Sequence, residues 1–129
     1  MKLHLALLSF GLLALSAGVA TAQTPRTGKL MREKLAHSQR ILEALTTSNQ
    51  DQLIREADGL SRIAASAQWT ADLRTPELRG YAESFIKTVA DLAAAARRRD
   101  LDSAAANYNT MVTACYQCHK HLKDTRIAK

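Results

Sequence analysis

The amino-acid sequence predicts an all-α protein, an antiparallel up-down-up-down bundle of four helices. The chain of 129 residues is 47% hydrophobic but only 5% aromatic, with five glycines and two prolines, a composition typical of one helical domain. Apolar residues recur at alternating steps of three and four, and no segment alternates apolar and polar residues as a half-buried strand does. Four long helices joined by short loops favour an up-down-up-down bundle.

Each helix is placed by its apolar spacing and by start and stop signals. The polar run 46–49 separates the first two helices. Thr75 as N-cap, Pro76 in the first turn and Glu77 near the positive helix end begin the third helix, and Asp100 caps the fourth. The predicted ranges are about 26–47, 50–67, 76–98 and 101–125.

Residues 1–22 have the pattern of a secretory signal peptide. Lys2 supplies a positive charge, residues 5–15 are almost wholly apolar, and Ala20 and Ala22 occupy the −3 and −1 positions of a cleavage site. The alternative is an uncleaved membrane anchor, but this apolar stretch is too short to cross a hydrocarbon core of about 30 Å as a helix. We therefore expect a periplasmic or otherwise exported domain of residues 23–129, with no membrane span after cleavage.

The predicted mature chain is moderately basic, with 17 Lys or Arg against 12 Asp or Glu. This excess favours anionic partners modestly. Because acidic residues are scattered from Glu33 to Asp124, nucleic-acid binding is not indicated. The densest basic run, Arg97 to Arg99, falls at a predicted helix end, where cations complement the helix dipole. We interpret this run as a solvated helix end and not as a binding patch.

The only two cysteines of the chain lie in the segment Cys115-Tyr116-Gln117-Cys118-His119. Cys-x-x-Cys-His is the attachment motif of c-type haem. Each thiol can add to one vinyl group of the porphyrin, and the imidazole of the next residue then ligates the iron as proximal ligand. On a helix, Cys115 and His119 share a face and Cys118 adjoins it. The sequence thus predicts one haem c, bound through two thioethers and enclosed by a bundle that otherwise has few large residues to fill its centre.

Three other interpretations of the motif compete. A zinc site usually pairs two Cys-x-x-Cys motifs or adds distant histidines, whereas a site using His119 or His121 would crowd its ligands onto one turn. A thioredoxin-like dithiol follows a strand and precedes a helix, whereas this motif lies near the end of a helix in a chain predicted to be all-α. A disulfide between Cys115 and Cys118 would close a very short loop and stabilise little. A zinc site or a disulfide would leave a haem-free helical interaction module.

Helix lengths point to a distal iron ligand. In the predicted bundle the end of the fourth helix lies beside the start of the first. His119 lies about 9 Å before the end of the fourth helix, and Met31 lies about 8 to 9 Å into the first. Met31 is therefore expected to face His119 across the iron, and core packing beside the porphyrin is the alternative role. Met111 is about 12 Å from His119 along the same helix and cannot take this position.

Other residues near this level are expected to pack around the pocket. His37 lies about 9 Å beyond Met31 on a different azimuth and is a poor distal ligand, and His121 should point away from the haem. The expected wall residues are Leu30, Lys34, Leu35, Ala64, Trp69, Leu78, Tyr81 and Phe85.

With its motif near the C-terminus of a helical bundle and Leu30-Met31 early in the first helix, the mature chain resembles the class II c-type cytochromes, the cytochrome c prime family. The resemblance implies that Lys123 lies near the proximal imidazole or a haem propionate. It also implies a possible homodimer through an apolar face of the first two helices.

Two functions follow from this resemblance. Members with a distal methionine carry single electrons between redox proteins, without substrate turnover. Members without a distal ligand are five-coordinate and bind diatomic gases, nitric oxide or carbon monoxide. Because a thioether at the level of Met31 would stabilise ferrous iron, we expect an electron carrier and not an enzyme.

Overall fold

A computed structural model describes residues 25–66, 70–71 and 73–127. These residues form four α-helices and no strand, so the predicted all-helical class is confirmed and is consistent with a four-helix bundle. The predicted signal peptide and Trp69 lie outside the described residues. None of the described helices is long and apolar enough to cross a membrane. The helices are α1 (Pro25–Thr46), α2 (Gln50–Ala65), α3 (Pro76–Arg97) and α4 (Leu101–Ile127).

Side-chain caps fix the starts of three helices. The Thr75 hydroxyl accepts a hydrogen bond from the Leu78 N–H at 3.2 Å, with Pro76 in the first turn of α3. The Asp100 carboxylate accepts from the Ser103 N–H at 3.0 Å at the start of α4. Both caps were predicted. Asn49, predicted only as part of a helix-breaking run, caps α2 by accepting from the Gln52 N–H at 3.1 Å.

Helices α1 and α3 end in the same kind of turn. Ser48 and Arg99 have positive φ angles of 55° and 58°. The following N–H groups, of Asn49 and Asp100, return to the carbonyls of Ala44 and Ala95 at 2.8 and 3.1 Å. This is the Schellman arrangement, in which glycine is the favoured residue at the left-handed position. The polar loops that follow α1 and α3 are therefore short and tightly hydrogen-bonded.

The core lies where consecutive helices pack on each other. Helix α1 packs on α2, α2 on α3 and α3 on α4, whereas α1 and α4 contact each other least of these pairs. More than half of the buried cluster is alanine, which allows close approach of helix backbones. The cluster comprises Ile41, Ala44, Leu53, Ala57, Leu60, Ala64, Ala82, Phe85, Val89, Leu92, Ala93, Ala95, Ala96, Ala104 and Met111.

Gly59 permits the close contact between α1 and α2. A Cβ atom added to Gly59 would lie 2.5 Å from Cε1 of the His37 ring. The ring is held there because His37 Nδ1 lies 2.7 Å from a Glu56 carboxylate oxygen, to which Arg40 also donates at 2.6 Å. By propensity a glycine weakens a helix interior; here its missing side chain makes room for the histidine.

The basic run at the end of α3 contacts α2. Arg97 pairs with Asp58 at 2.6 Å, and Arg99 pairs with Asp51 at 2.9 Å and donates to Gln50 at 2.7 Å. All three arginines of the run are exposed, so each ion pair contributes on the order of 1 kcal/mol or less. The run is a solvated helix end, as predicted, with the addition that two of its members reach across to α2.

Candidate functional site

A cavity of about 410 Å³ opens between α1 and α4, and its lining is predominantly apolar. These two helices contact each other less than consecutive helices do. Its volume lies within the range of about 300–1,000 Å³ of small-molecule sites. The lining residues are Met31, Arg32, Lys34, Leu35 and Ser38 on α1, Leu60 on α2, Tyr81, Ala82 and Phe85 on α3, and Met111, Val112, Ala114, Cys115, Cys118 and His119 on α4.

Helix α4 places the two cysteines and the histidine of the Cys-x-x-Cys-His motif in the wall of this cavity. Residues three and four apart share a helix face, which is why Cys115, Cys118 and His119 all border one space. Both cysteines are half-buried free thiols, and His119 is exposed at the mouth. Burial raises the pKa of both thiols, although the nearby Lys34 ammonium acts in the opposite direction. The thiols are therefore protonated at neutral pH.

Helix α1 supplies a thioether to the same cavity. Met31 is half-buried and also packs against the core cluster. Tyr81 and Phe85 from α3 also line the cavity. Lys123 is exposed on α4 and is not part of the lining. Among the predicted wall residues, Leu30, Ala64 and Leu78 also lie outside the lining, while Lys34 and Leu35 lie within it.

Lys34 carries the clearest electrostatic perturbation in the cavity. Its Nζ atom lies 4.0 Å from the centroid of the Phe85 ring, a cation–π distance. Burial lowers the pKa of Lys34 from 10.5 to about 8, even though Cys115 and Cys118 act to raise it. The cavity therefore holds an amine that loses its proton under mildly alkaline conditions.

The two other histidines near the motif or in α1 lie outside the cavity lining. His37 contacts Glu56 and the backbone of Gly59 on α2. The His121 ring packs on the Tyr81 ring, with centroids 5.5 Å apart and planes tilted by 48°. Tyr81 thus lines the cavity and also touches His121.

Several lining residues were not predicted. Leu60, Ala82 and Met111 are buried members of the core cluster that also border the cavity, and Arg32 lies at its mouth. The helical repeat places Met111 on the same face of α4 as Cys115, four residues later, and Arg32 on the same face of α1 as Leu35, three residues later. The repeat alone does not show that either face borders a cavity.

The donor set combines thiols, an imidazole and a thioether. Such ligands suit iron, copper and zinc better than magnesium or calcium. Among the residues that the structure describes, however, no three His, Cys, Asp or Glu side chains are grouped closely enough to hold a metal ion. These side chains lie on two walls of the apolar cavity, Met31 on α1 and the cysteines and His119 on α4.

No protein-family model, curated protein or solved structure matches this chain.

Proposed function

We propose that this chain is an exported monohaem c-type cytochrome of class II that carries single electrons between redox proteins. The observation that carries the proposal is that Cys115, Cys118 and His119 on α4 and Met31 on α1 border one apolar cavity. The motif is typical of covalent haem attachment, and the cavity provides a hydrophobic space beside it.

An antiparallel up-down-up-down arrangement of the helices is part of this proposal. Contacts between α1 and α2 support it, because His37 meets Glu56 whereas Glu43 meets Gln52, so residue numbers rise on one helix as they fall on the other. Loops of three residues, 47–49 and 98–100, join α1 to α2 and α3 to α4. Connections this short favour antiparallel neighbours.

The residues of the cavity fit a haem. Leu35 and Val112 line it and yet are 58% and 43% exposed. Apolar side chains that border a pocket are stabilised when a hydrophobic ligand covers them. The half-buried thiols lie on the same wall as the His119 imidazole. Both features support a porphyrin between α1 and α4.

The haem would supply a one-electron Fe(III)/Fe(II) couple. Cys115 and Cys118 would hold it through two thioethers, His119 would bind the iron on the proximal side, and Met31 on the distal side. An apolar lining lowers the local dielectric, and a thioether ligand favours ferrous iron, so these residues would raise the reduction potential. Tyr81 and Phe85 would pack on the porphyrin. Lys123, exposed four residues beyond His119, would lie near the proximal imidazole or meet a propionate.

A second candidate function is binding of nitric oxide or carbon monoxide by a five-coordinate haem. The packing of Met31 against the core cluster favours it, because a methionine held there as core filler would leave the distal position open. The two functions therefore differ in the role of one side chain.

The deciding experiment uses protein secreted from a host that attaches haem to exported chains. Intact mass should show loss of residues 1–22 and the addition of one haem. A low-spin ferrous spectrum that carbon monoxide does not change supports the electron carrier, and a high-spin spectrum that changes supports the gas binder. A colourless protein with both thiols free would refute both and would leave a haem-free interaction module.

The variant Met31→Ala tests the distal ligand. We expect it to retain covalent haem and to become high-spin and reactive towards carbon monoxide, when measured at about pH 6.5, where Lys34 is protonated. Met111→Leu is the matched control, because Met111 also lines the cavity but lies on α4. A Met31→Ala spectrum identical to that of the parent would exclude Met31 as ligand.

A further inference from the structure

Lys34 places an amine on the same side of the cavity as Met31. The two residues are three apart on α1 and both line the cavity, so their side chains start from one helix face, about one turn apart. The motif residues Cys115, Cys118 and His119 border the same space from α4. A group bound between α1 and α4 would therefore have two potential donors on its α1 side.

The Lys34 side chain extends into the cavity instead of along the surface. A lysine near a protein surface usually directs its ammonium group to water. Here the Nζ atom lies 4.0 Å from the centroid of the Phe85 ring, which is itself only 5% exposed. Burial lowers the pKa of this amine to about 8. The neutral form, which has a free electron pair, is therefore accessible at mildly alkaline pH.

We propose that Lys34 is a second distal iron donor, whose amine nitrogen binds the iron when the Met31 sulfur does not. This inference rests on the proposed function. The Lys34 ammonium group would first lose one proton to solvent, and the lone pair of the neutral amine would then bind the iron without a change in oxidation state. Nitrogen donors are harder than thioethers, so Lys34 should favour ferric iron and Met31 ferrous iron.

In the described part of the chain, charged and titratable groups line the cavity from three helices. Cys115, Cys118 and His119 line the cavity from α4, Tyr81 lines it from α3, and Arg32 lies at the mouth beside Lys34 on α1. Helix α2 contributes only the apolar Leu60 to the lining. In a haem-loaded protein the two thiols would be thioethers, which cannot ionise, so they would no longer act on the pKa of Lys34.

The test compares exported, haem-loaded Met31→Ala with the double variant Met31→Ala/Lys34→Leu. Ferric absorption and electron paramagnetic resonance spectra are recorded at about pH 6.5 and about pH 9.5. We expect Met31→Ala to change from high-spin to a nitrogen-ligated low-spin form, with a midpoint at or below about pH 8. The double variant should lose this signal. If hydroxide from solvent binds the iron at alkaline pH, the double variant shows that form without any lysine ligation.

Lys29→Leu in the Met31→Ala protein is the matched control, because Lys29 lies on the same helix but is 74% exposed and pairs with Glu33. It should retain the transition. Identical spectra for Met31→Ala and the double variant at both pH values would overturn the proposed role of Lys34 but not the proposed function. Loss of the transition in the control would do the same. Absence of haem from the intact mass would overturn the proposed function and Lys34 ligation with it.

Discussion

Replacement of Lys34 by leucine should stabilise the haem-free polypeptide at neutral pH. The amine is charged there, although it lies beside the Phe85 ring in an apolar cavity. Removing a buried charge removes its desolvation penalty, and leucine retains an apolar side chain that can pack in the same space.

The size of this stabilisation follows from the lowered pKa of Lys34. The pKa of Lys34 falls from 10.5 to about 8 on folding, and one pKa unit corresponds to about 1.4 kcal/mol, so the ammonium form costs about 3 kcal/mol. Leucine loses the cation–π contact with Phe85, worth on the order of 1 kcal/mol. We therefore expect Lys34→Leu to raise the free energy of unfolding by about 2 kcal/mol at pH 7.

The gain should depend on pH with a defined sign. Below about pH 8 the amine is protonated in both the folded and the unfolded chain, so the penalty is fully present. Between about 8 and 10.5 the folded protein releases the proton first, and its stability rises with pH. Above 10.5 both forms are neutral. The difference in the free energy of unfolding between Lys34→Leu and the parent should thus shrink as pH rises through this window.

Urea unfolding of the parent and Lys34→Leu at several pH values measures this difference directly, since the other titrating groups are common to both proteins. Lys29→Leu, on the exposed side of α1, should give a small difference that does not vary across the same window. A variant that is less stable than the parent at pH 7, or a gain that is independent of pH, would refute the buried position of the Lys34 amine.

Three further variants test the fold and the motif. Gly59→Ala should lower the free energy of unfolding by about 1–3 kcal/mol through overpacking, since its Cβ would lie 2.5 Å from the His37 ring; adding His37→Ala should recover most of the loss, and a stabilised single variant would contradict the contact. Ser48→Gly should stabilise by about 1 kcal/mol, because φ of 55° is unfavourable for serine; an unchanged urea midpoint would argue against that backbone conformation. Cys115→Ser with Cys118→Ser should abolish covalent haem in the intact mass and reduce helical stability by circular dichroism, whereas a fully stable variant would show that the helices do not depend on the cofactor.

The helices were largely predictable because their signals are local. Thr75 and Pro76 begin α3 as predicted, since an N-cap and a first-turn proline act on the residues beside them. The predicted end of α2 at residue 67 was too late. Ser66 ends it, because its hydroxyl and N–H both bond the Ile63 carbonyl, at 2.8 and 3.1 Å. Such local bonds compete with continuation of a helix.

Contacts between distant segments were less predictable. The pairing of Arg97 with Asp58 joins residues 39 apart in the chain, and the fit of the His37 ring over Gly59 depends on how α1 and α2 approach each other. Neither follows from the helical repeat, which fixes the azimuth of a side chain but not the distance to the next helix. For the same reason the sequence indicated only that Gly59 weakens α2, and not that it makes room for His37.

The sequence predicted the thiol, imidazole and thioether groups of the candidate site, but not the buried amine of Lys34. The four-residue repeat places Cys115 and His119 on one face of α4, and helix lengths place Met31 at a similar level. The direction of Lys34 was not predictable, because a long side chain can reach either water or the interior. Its course is decided by the Phe85 ring on α3 and by the space between α1 and α4.

The alanine-rich core explains why that space lies between α1 and α4. Small side chains such as Ala82 and Ala93 let α3 approach its neighbours closely, so the volume that the helices cannot fill collects where α1 and α4 contact each other least. Leu35 and Val112 remain exposed at its edge, which weakens the haem-free chain because apolar surface stays in water. A hydrophobic cofactor would cover these side chains, so the features that leave the haem-free bundle incomplete would stabilise the haem-bound one.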